Sequence, residues 1–442
     1  MLRSYGESGS IQVVGNNITL TDDSLFLTFI QGNNQFNSIN ILAKDNLNLI
    51  GTTENSVLFP QIEPRYSRGI RNVSVGDGYS ATITIHAKNL NLSGFGAIFT
   101  TNYNDSYGGD IILDIQERIH LSGDNPFDPF LPASTFITSR SSSSKPGGNI
   151  SIKADSLLMT RGSAISSTTA EQGKGGDLIL EVNSIALDGF NPISFLQTNL
   201  STSSQGLGQG GNVQVESDRI ALTNGGRIDS ATFAFGNAGN ITIKAHSIEV
   251  DGMIPDVPNP SLISSSANIL SPLTRQLLDL PDIPSGDTGN LTIFSDRIRI
   301  SNGALISASH DGTGNAGTIK ISADFIELNN GGIVAKTFVG DGGIISLKTS
   351  QDIILRGNST ISATAGGNGN GGNININTRF LILDDSSSIT AQAFEGKGGN
   401  IDLTVEGLLE SPYSLISASS QLGVDGRISI DRNYKFEEAL LI

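Results

Sequence analysis

The chain has 442 residues, 37% of them hydrophobic, with 52 glycines and neither cysteine nor tryptophan. It carries 43 acidic residues against 27 Lys and Arg, a net charge of −16, and no basic stripe offsets phosphate repulsion, so no nucleic acid partner is expected. Without cysteine there are no thiolate metal sites or cysteine nucleophiles. No apolar run approaches the roughly 20 residues that span a bilayer, so no transmembrane segment is expected.

The opening stretch, MLRSYGESGSIQVVGN, has no apolar signal-peptide core and enters a repeat within ten residues. Loose copies of the repeat begin at Ser10, Ser38, Thr82 and Asp110. Clear copies follow at Asn149 (GGNISIKA), Asn212 (GGNVQVES), Asn240 (AGNITIKA), Asn290 (TGNLTIFS), Asn373 (GGNININT) and Asn400 (GGNIDLTV), with looser ones at Asp177, Thr318, Ile344 and Arg427. These fourteen anchors are most often 28 residues apart, with longer steps of 44, 39, 35 and 50. A self-similar period in this range marks a solenoid, whose units bury their apolar faces only by stacking.

In the copy from Asn240, Ile241, Ile243 and Ala245 alternate with polar residues, then Ile248 and Val250 do so, and Gly252 closes the segment. The copy from Asn149 gives Ile150, Ile152, Ala154, Leu157, Met159, Gly162 and Ile165. Period-two alternation of this kind means half-buried strands. Each unit therefore reads as three short strands, the third of Ile-Ser-Ala type as at Ile165, Ile228, Ile306, Ile361, Ile389 and Ile416. The fold class expected is all-β: one elongated domain over 1–442, a right-handed parallel β-helix of about 14 coils with roughly 28 residues per coil. Its interior should be a column of Ile, Leu, Val and Ala. Glycines should supply positive-φ corners, and the anchor Asn a ladder of amides bonded from coil to coil.

The longer steps predict four inserted loops, near 52–78, 124–146, 190–209 and 253–287. Their apolar residues (Phe127, Phe130, Phe195, Leu262, Ile269, Leu270) are expected against the outside of the rod. Helical periodicity occurs only around Leu273–Leu280. Insertions of this kind cover exposed sheet or build a binding surface. Both ends are abrupt, unless Phe436–Ile442 folds over the last coil, which marks the chain as a fragment of a longer exported protein.

The pattern GGN-IxIxA, then IxLxxG, then IxAS resembles the filamentous-haemagglutinin-like exoproteins of two-partner secretion, in particular their cyanobacterial adhesin members. Gly314–Gly332, Gly371–Ala393 and Ser414–Asp431 are similar to the repeat region of that family. The resemblance spans nearly the whole chain, whereas the family's N-terminal secretion domain with its NPNG-type motifs is not found. It implies a right-handed parallel β-helix passed through an outer-membrane secretion pore, then secreted or displayed at the cell surface.

Candidate chemistry is sparse. Asp155, Asp218, Asp296 and Asp324 occupy equivalent places just after the first strand, and Asp218-Arg219-Ile220 is repeated as Asp296-Arg297-Ile298. Glycan-cleaving enzymes on this fold need clustered carboxylates, but an Asp recurring at one turn is expected to bond its own backbone. His86, His120, His246 and His310 are far apart in sequence. The Gly-Asp-Asn-rich stretches His310–Gly317, Val339–Gly343 and Gly366–Gly372 are expected to be tight turns rather than calcium sites. A strand, not a helix, follows each glycine-rich loop, which excludes a phosphate cradle. The expectation is an adhesive rod that binds glycans or neighbouring cells, with no catalytic, metal or cofactor residues. Alternatives are a polysaccharide lyase or glycoside hydrolase, and a non-functional fragment of a larger exoprotein.

Overall fold

The computed structural model describes residues 2–4 (backbone only), 10–21, 24–30, 38–51, 69–124, 135–192, 196–253 and 259–432. Among them two long parallel sheets run side by side. One has 14 short strands and the other 15 long ones, and in each the strands follow the order in which the coils are stacked. Every anchor opens a long-sheet strand, from Ser10–Thr21 to Ile428–Arg432, so the expected fourteen coils and parallel β-helix are present. The fifteenth strand arises because one coil splits its strand into Ile344–Thr349 and Asp352–Arg356.

The in-register apolar files are made as the alternation requires. Ile83, Ile111, Ile150, Leu178, Val213, Ile241, Leu291, Ile319, Ile345, Ile374 and Ile401 stack as one file, all fully buried. Each such side chain contributes about 1.5–3 kcal/mol through burial. The last described coil lacks a neighbour on one side among the described residues, and its Ile428 and Ile430 are 41% and 42% exposed.

Three expectations need correction. The first two strands of a coil are one continuous strand with an elbow, as in Ile241–Asp251. Ile243 and Ile248 are both buried although five positions apart, and His246 and Ser247 between them both face away from the core, so the alternation slips once and the strand bends there. The interior is also not wholly apolar. Under the short-strand sheet Ser139, Ser167, Thr202, Ser230 and Ser265 form a fully buried file of hydroxyls. Turn carbonyls serve some of the hydroxyls on this side, with Thr202 Oγ1 donating to Gly211 O at 2.6 Å and Thr169 Oγ1 to Gly173 O at 2.6 Å, whereas Ser167 Oγ has no hydrogen-bond partner among the described residues. Finally, each stretch read as an insertion holds the short strand of its coil: Gly69–Ser74, Phe136–Ser143, Asn199–Ser204 and Leu262–Ala267. With Ser, Thr and Asn at inward positions, these strands lack the apolar alternation that marks a strand in sequence. Leu262 accordingly belongs to a strand rather than to an outer loop.

The extra residues that remain include the one helix among the described residues, Pro272–Leu278, close to where periodicity placed it and capped by Ser271 accepting from Thr274 N. No helix is long and apolar enough to cross a membrane among the described residues. Phe127, Phe130, Phe195 and the segment 436–442 lie outside the described residues.

Glycine serves two purposes. Gly162, Gly252 and Gly303 have positive φ at the corner after the long strand, as expected. The anchor glycines 148, 176, 211 and 239 do not; a Cβ on any of them would strike the carbonyl of the preceding coil's glycine. The Asn ladder is present with its acceptor role dominant. Asn149 Oδ1 accepts from Asp177 N, Asp177 Oδ1 from Asn212 N, Asn212 Oδ1 from Asn240 N and Asn240 Oδ1 from Asn290 N, at 2.8–3.0 Å. The Asp and Asn of the Gly-rich stretches do the same one turn earlier: Asp287 accepts from Asn315 N and Asp341 from Asn370 N. Those stretches are turns, as expected.

Candidate functional site: the groove along the elbow

The elbow residue is the sixth after each anchor. It is the position that the coil-to-coil pairing skips: Ser217 pairs with Ala245 and Arg219 with Ser247, leaving Asp218 and His246 between them. The same gap recurs in the next two pairings. Elbow side chains therefore point to solvent and stack at the strand spacing of about 4.8 Å. From one coil to the next they are Asp155, Asn183, Asp218, His246, Asp296 and Asp324.

All four carboxylates singled out in the sequence thus stand in one file. Their recorded side-chain partners are on adjacent coils rather than on their own backbone, which corrects the turn reading. Asn183 Nδ2 donates to Asp155 Oδ1 at 2.9 Å, and Ser350 Oγ to Asp324 Oδ1 at 2.6 Å. His246 is held between two carboxylates, with Nδ1 3.0 Å from Asp296 Oδ2 and Nε2 3.7 Å from Asp218 Oδ1. These three side chains are 67–74% exposed, so the contacts hold orientation more than stability.

Beside this file runs a second, formed by Lys153, Glu181, Glu216, Lys244, Phe294 and Ser322 in register. The two files and the residues between them line a groove of 1180 Å³ that extends over seven coils, from Asp114 to Asp324. Seven coils span roughly 30 Å along the rod. Seven carboxylates line it against two lysines and one histidine.

Comparison with protein-family models, with curated proteins and with solved structures found no match. The site therefore stands on its geometry.

Sequence reasoning treated His246 only as one of four scattered histidines and missed that Asn183 and His246 belong to the aspartate file. Counting six positions from every anchor would have found both. It also missed the wall, since Lys153, Glu181, Glu216 and Lys244 read as ordinary outward strand residues.

The remaining histidines do not join the groove. His86 Nδ1 lies 3.2 Å from Asp114 Oδ2 on the outer face of the long-strand sheet. His120 is half-buried, and burial, aided by the Arg118 charge and opposed by Asp124, holds its imidazole below the usual value. His310 is buried in a turn. Among the described residues no group of three or more His, Asp or Glu side chains is placed to hold a metal ion.

Proposed function

We propose that this chain is the rod of a secreted or surface-displayed adhesive exoprotein of the filamentous-haemagglutinin-like, two-partner kind, and that it holds an extended glycan along the elbow groove. The observation that carries this reading is a solvent-open groove running with the rod axis over seven coils. Its two lining files are repeated coil by coil, which suits a repeating polymer better than a compact ligand. Carboxylates, lysines and the Asn183 amide offer acceptors and donors to sugar hydroxyls, and the exposed Phe294 ring offers an apolar face to a pyranose. The acidic lining disfavours uronate or sulfated chains and favours neutral or amine-bearing ones. The family resemblance adds an outer-membrane secretion pore as the export partner.

A second reading, cleavage of the bound glycan, is favoured by one arrangement, the His246 imidazole between the Asp218 and Asp296 carboxylates. A single experiment separates the two. Purified chain is incubated with insoluble neutral, amine-bearing and uronate polysaccharides and with intact cells. Retention and released reducing ends are both measured. Adhesion predicts retention without release, weakened several-fold by Phe294→Ala. Release abolished by His246→Ala would establish cleavage. Retention on none of the surfaces, or retention that Phe294→Ala leaves unchanged, would remove the groove as the binding site.

A further inference from the structure

One buried titratable group has no part in the groove. His310 is 1% exposed and lies in the inward file Thr169, Ser204, Thr232, Ala267, His310, Thr337, Ala365, Ala393 and Ser420. Every other residue named there is small. Where it is Ser or Thr, its hydroxyl closes a turn by donating to a turn carbonyl: Ser204 to Gly208 O at 2.5 Å, Thr232 to Gly236 O at 2.5 Å, Thr337 to Gly340 O, and Ser420 to Gly396 O of the preceding coil at 2.6 Å. A hydroxyl does this at any physiological pH.

At His310 the polarity is reversed. Gly312 N–H donates into Nδ1 at 2.8 Å, so the ring must be neutral with its proton on Nε2. Nε2 then donates to Gly286 O of the preceding coil at 2.8 Å. Gly314 N–H also points at Nε2, at 3.2 Å, but with the proton on Nε2 this longer contact is not a hydrogen bond; Gly312 and Gly314 are both buried. One neutral imidazole therefore ties its own turn to the turn beneath it. A second proton would put an Nδ1–H against the Gly312 N–H, two donors face to face in a buried turn.

We propose that His310 makes the turn 310–317 an acid-released latch, closed by the neutral imidazole and opened when the ring takes up a proton. Burial, against the charges around it, supports release over retention of a buried cation. Burial holds the imidazole below its usual 6.5, outweighing the Gly286 carbonyl, Asp287 from the preceding coil and Asp311 beside the ring, which all favour the protonated form. The following coil packs Thr337, a neutral group, against it, and its Lys336 and Asp341 carry exposed charges. Once the turn opens, water and the two aspartates receive the imidazolium. The opened state binds one more proton than the closed state, so its population rises as pH falls.

The test is amide hydrogen exchange of the full chain between about pH 8 and pH 5, corrected for intrinsic rates and read at Gly312 and Gly314. Protection should fall by up to about tenfold per pH unit below the open-state imidazole value. The turn 337–340, closed by a threonine, serves as the internal control and should stay flat. His310→Thr, which installs the residue of the next coil, should make the 310–317 turn as flat as that control. Flat protection in the wild type, or an equal fall in both turns, would overturn the proposal. Should His310→Thr not fold, a ring-nitrogen titration of the wild type decides the matter. An Nδ1-protonated tautomer at neutral pH, or titration at or above the usual value with the turn intact, would overturn it too.

Discussion

The short-strand sheet is built in two ways along one rod. Between Phe136 and Ala267 its strands have six to eight residues and face the core with hydroxyls, Ser139 through Ser265. From Leu305 to Ser417 they have three residues, and the equivalent inward file is Ala308, Ala335, Ala363, Ala391 and Ala418, all buried. The difference turns on one donor, the N–H of the anchor glycine. In two coils of the first region a side chain accepts it: Gly239 N donates to Ser230 Oγ at 2.8 Å and Gly289 N to Ser265 Oγ at 2.7 Å. In the second the backbone accepts it, with Gly372 N on Ala363 O, Gly399 N on Ala391 O and Gly426 N on Ala418 O at 2.7–2.8 Å. A carbonyl turned to the glycine interrupts the ladder, which resumes only as single pairs at His310, Thr337, Ala365, Ala393 and Ser420. Every buried donor must be met, and these coils meet the same donor at the expense of either a hydroxyl or a few ladder bonds.

Both regions share the apolar files under the long-strand sheet, and the largest effects should ignore the boundary between them. Ile243→Asp in the first region and Ile376→Asp in the second should each lose upwards of about 4 kcal/mol, by placing an unpaired charge in a dry file. Denaturant melts that differ greatly between the two would show that the core is not common. The next test acts on the difference itself. Ser230→Ala should lose about 1–3 kcal/mol because the buried Gly239 N–H loses its partner. The reciprocal Ala391→Ser should change stability far less, since the glycine there already has a carbonyl. Equal losses would undo the account of the two regions.

A smaller effect follows from His310, on the boundary between the two. Its imidazole is lower in the folded chain than the usual 6.5, so the unfolded chain binds the proton first. The stability it contributes is complete above that value and is lost as pH falls through the folded-state value. The wild-type melting temperature should drop on acidification more than that of His310→Thr, as read in parallel thermal scans. Least affected should be Lys244→Ala, on the outer face of the elbow strand, within about 0.5 kcal/mol of wild type.

Much of this could be read from residue order, because it is local. Anchor spacing determined the coil count, the parallel stacking and the place of each long strand, and alternation around Ile241 or Ile150 determined which residues face inward. The Pro272–Leu278 helix was legible from its own few residues. What escaped was whatever depends on contacts between coils. The elbow at His246 joins two expected strands into one, because the ladder to the neighbouring coils carries on past the bend. The Ser and Thr of Asn199–Ser204 or Leu262–Ala267 read as loop, because the carbonyls that satisfy them come from turns elsewhere in the coil. Asp155, Asp218 and Asp296 read as a recurring turn residue bonded to its own backbone, and only stacking brings them into one groove beside Asn183 and His246. Sequence by itself determined the repeat, the strands and the stacking; tertiary structure alone decided the groove, the hydroxyl-lined interior and the bonds of His310. Strand patterning needs only neighbours along the chain, whereas these features pair groups such as His246 and Asp296, separated by 50 residues and joined only once the coils close.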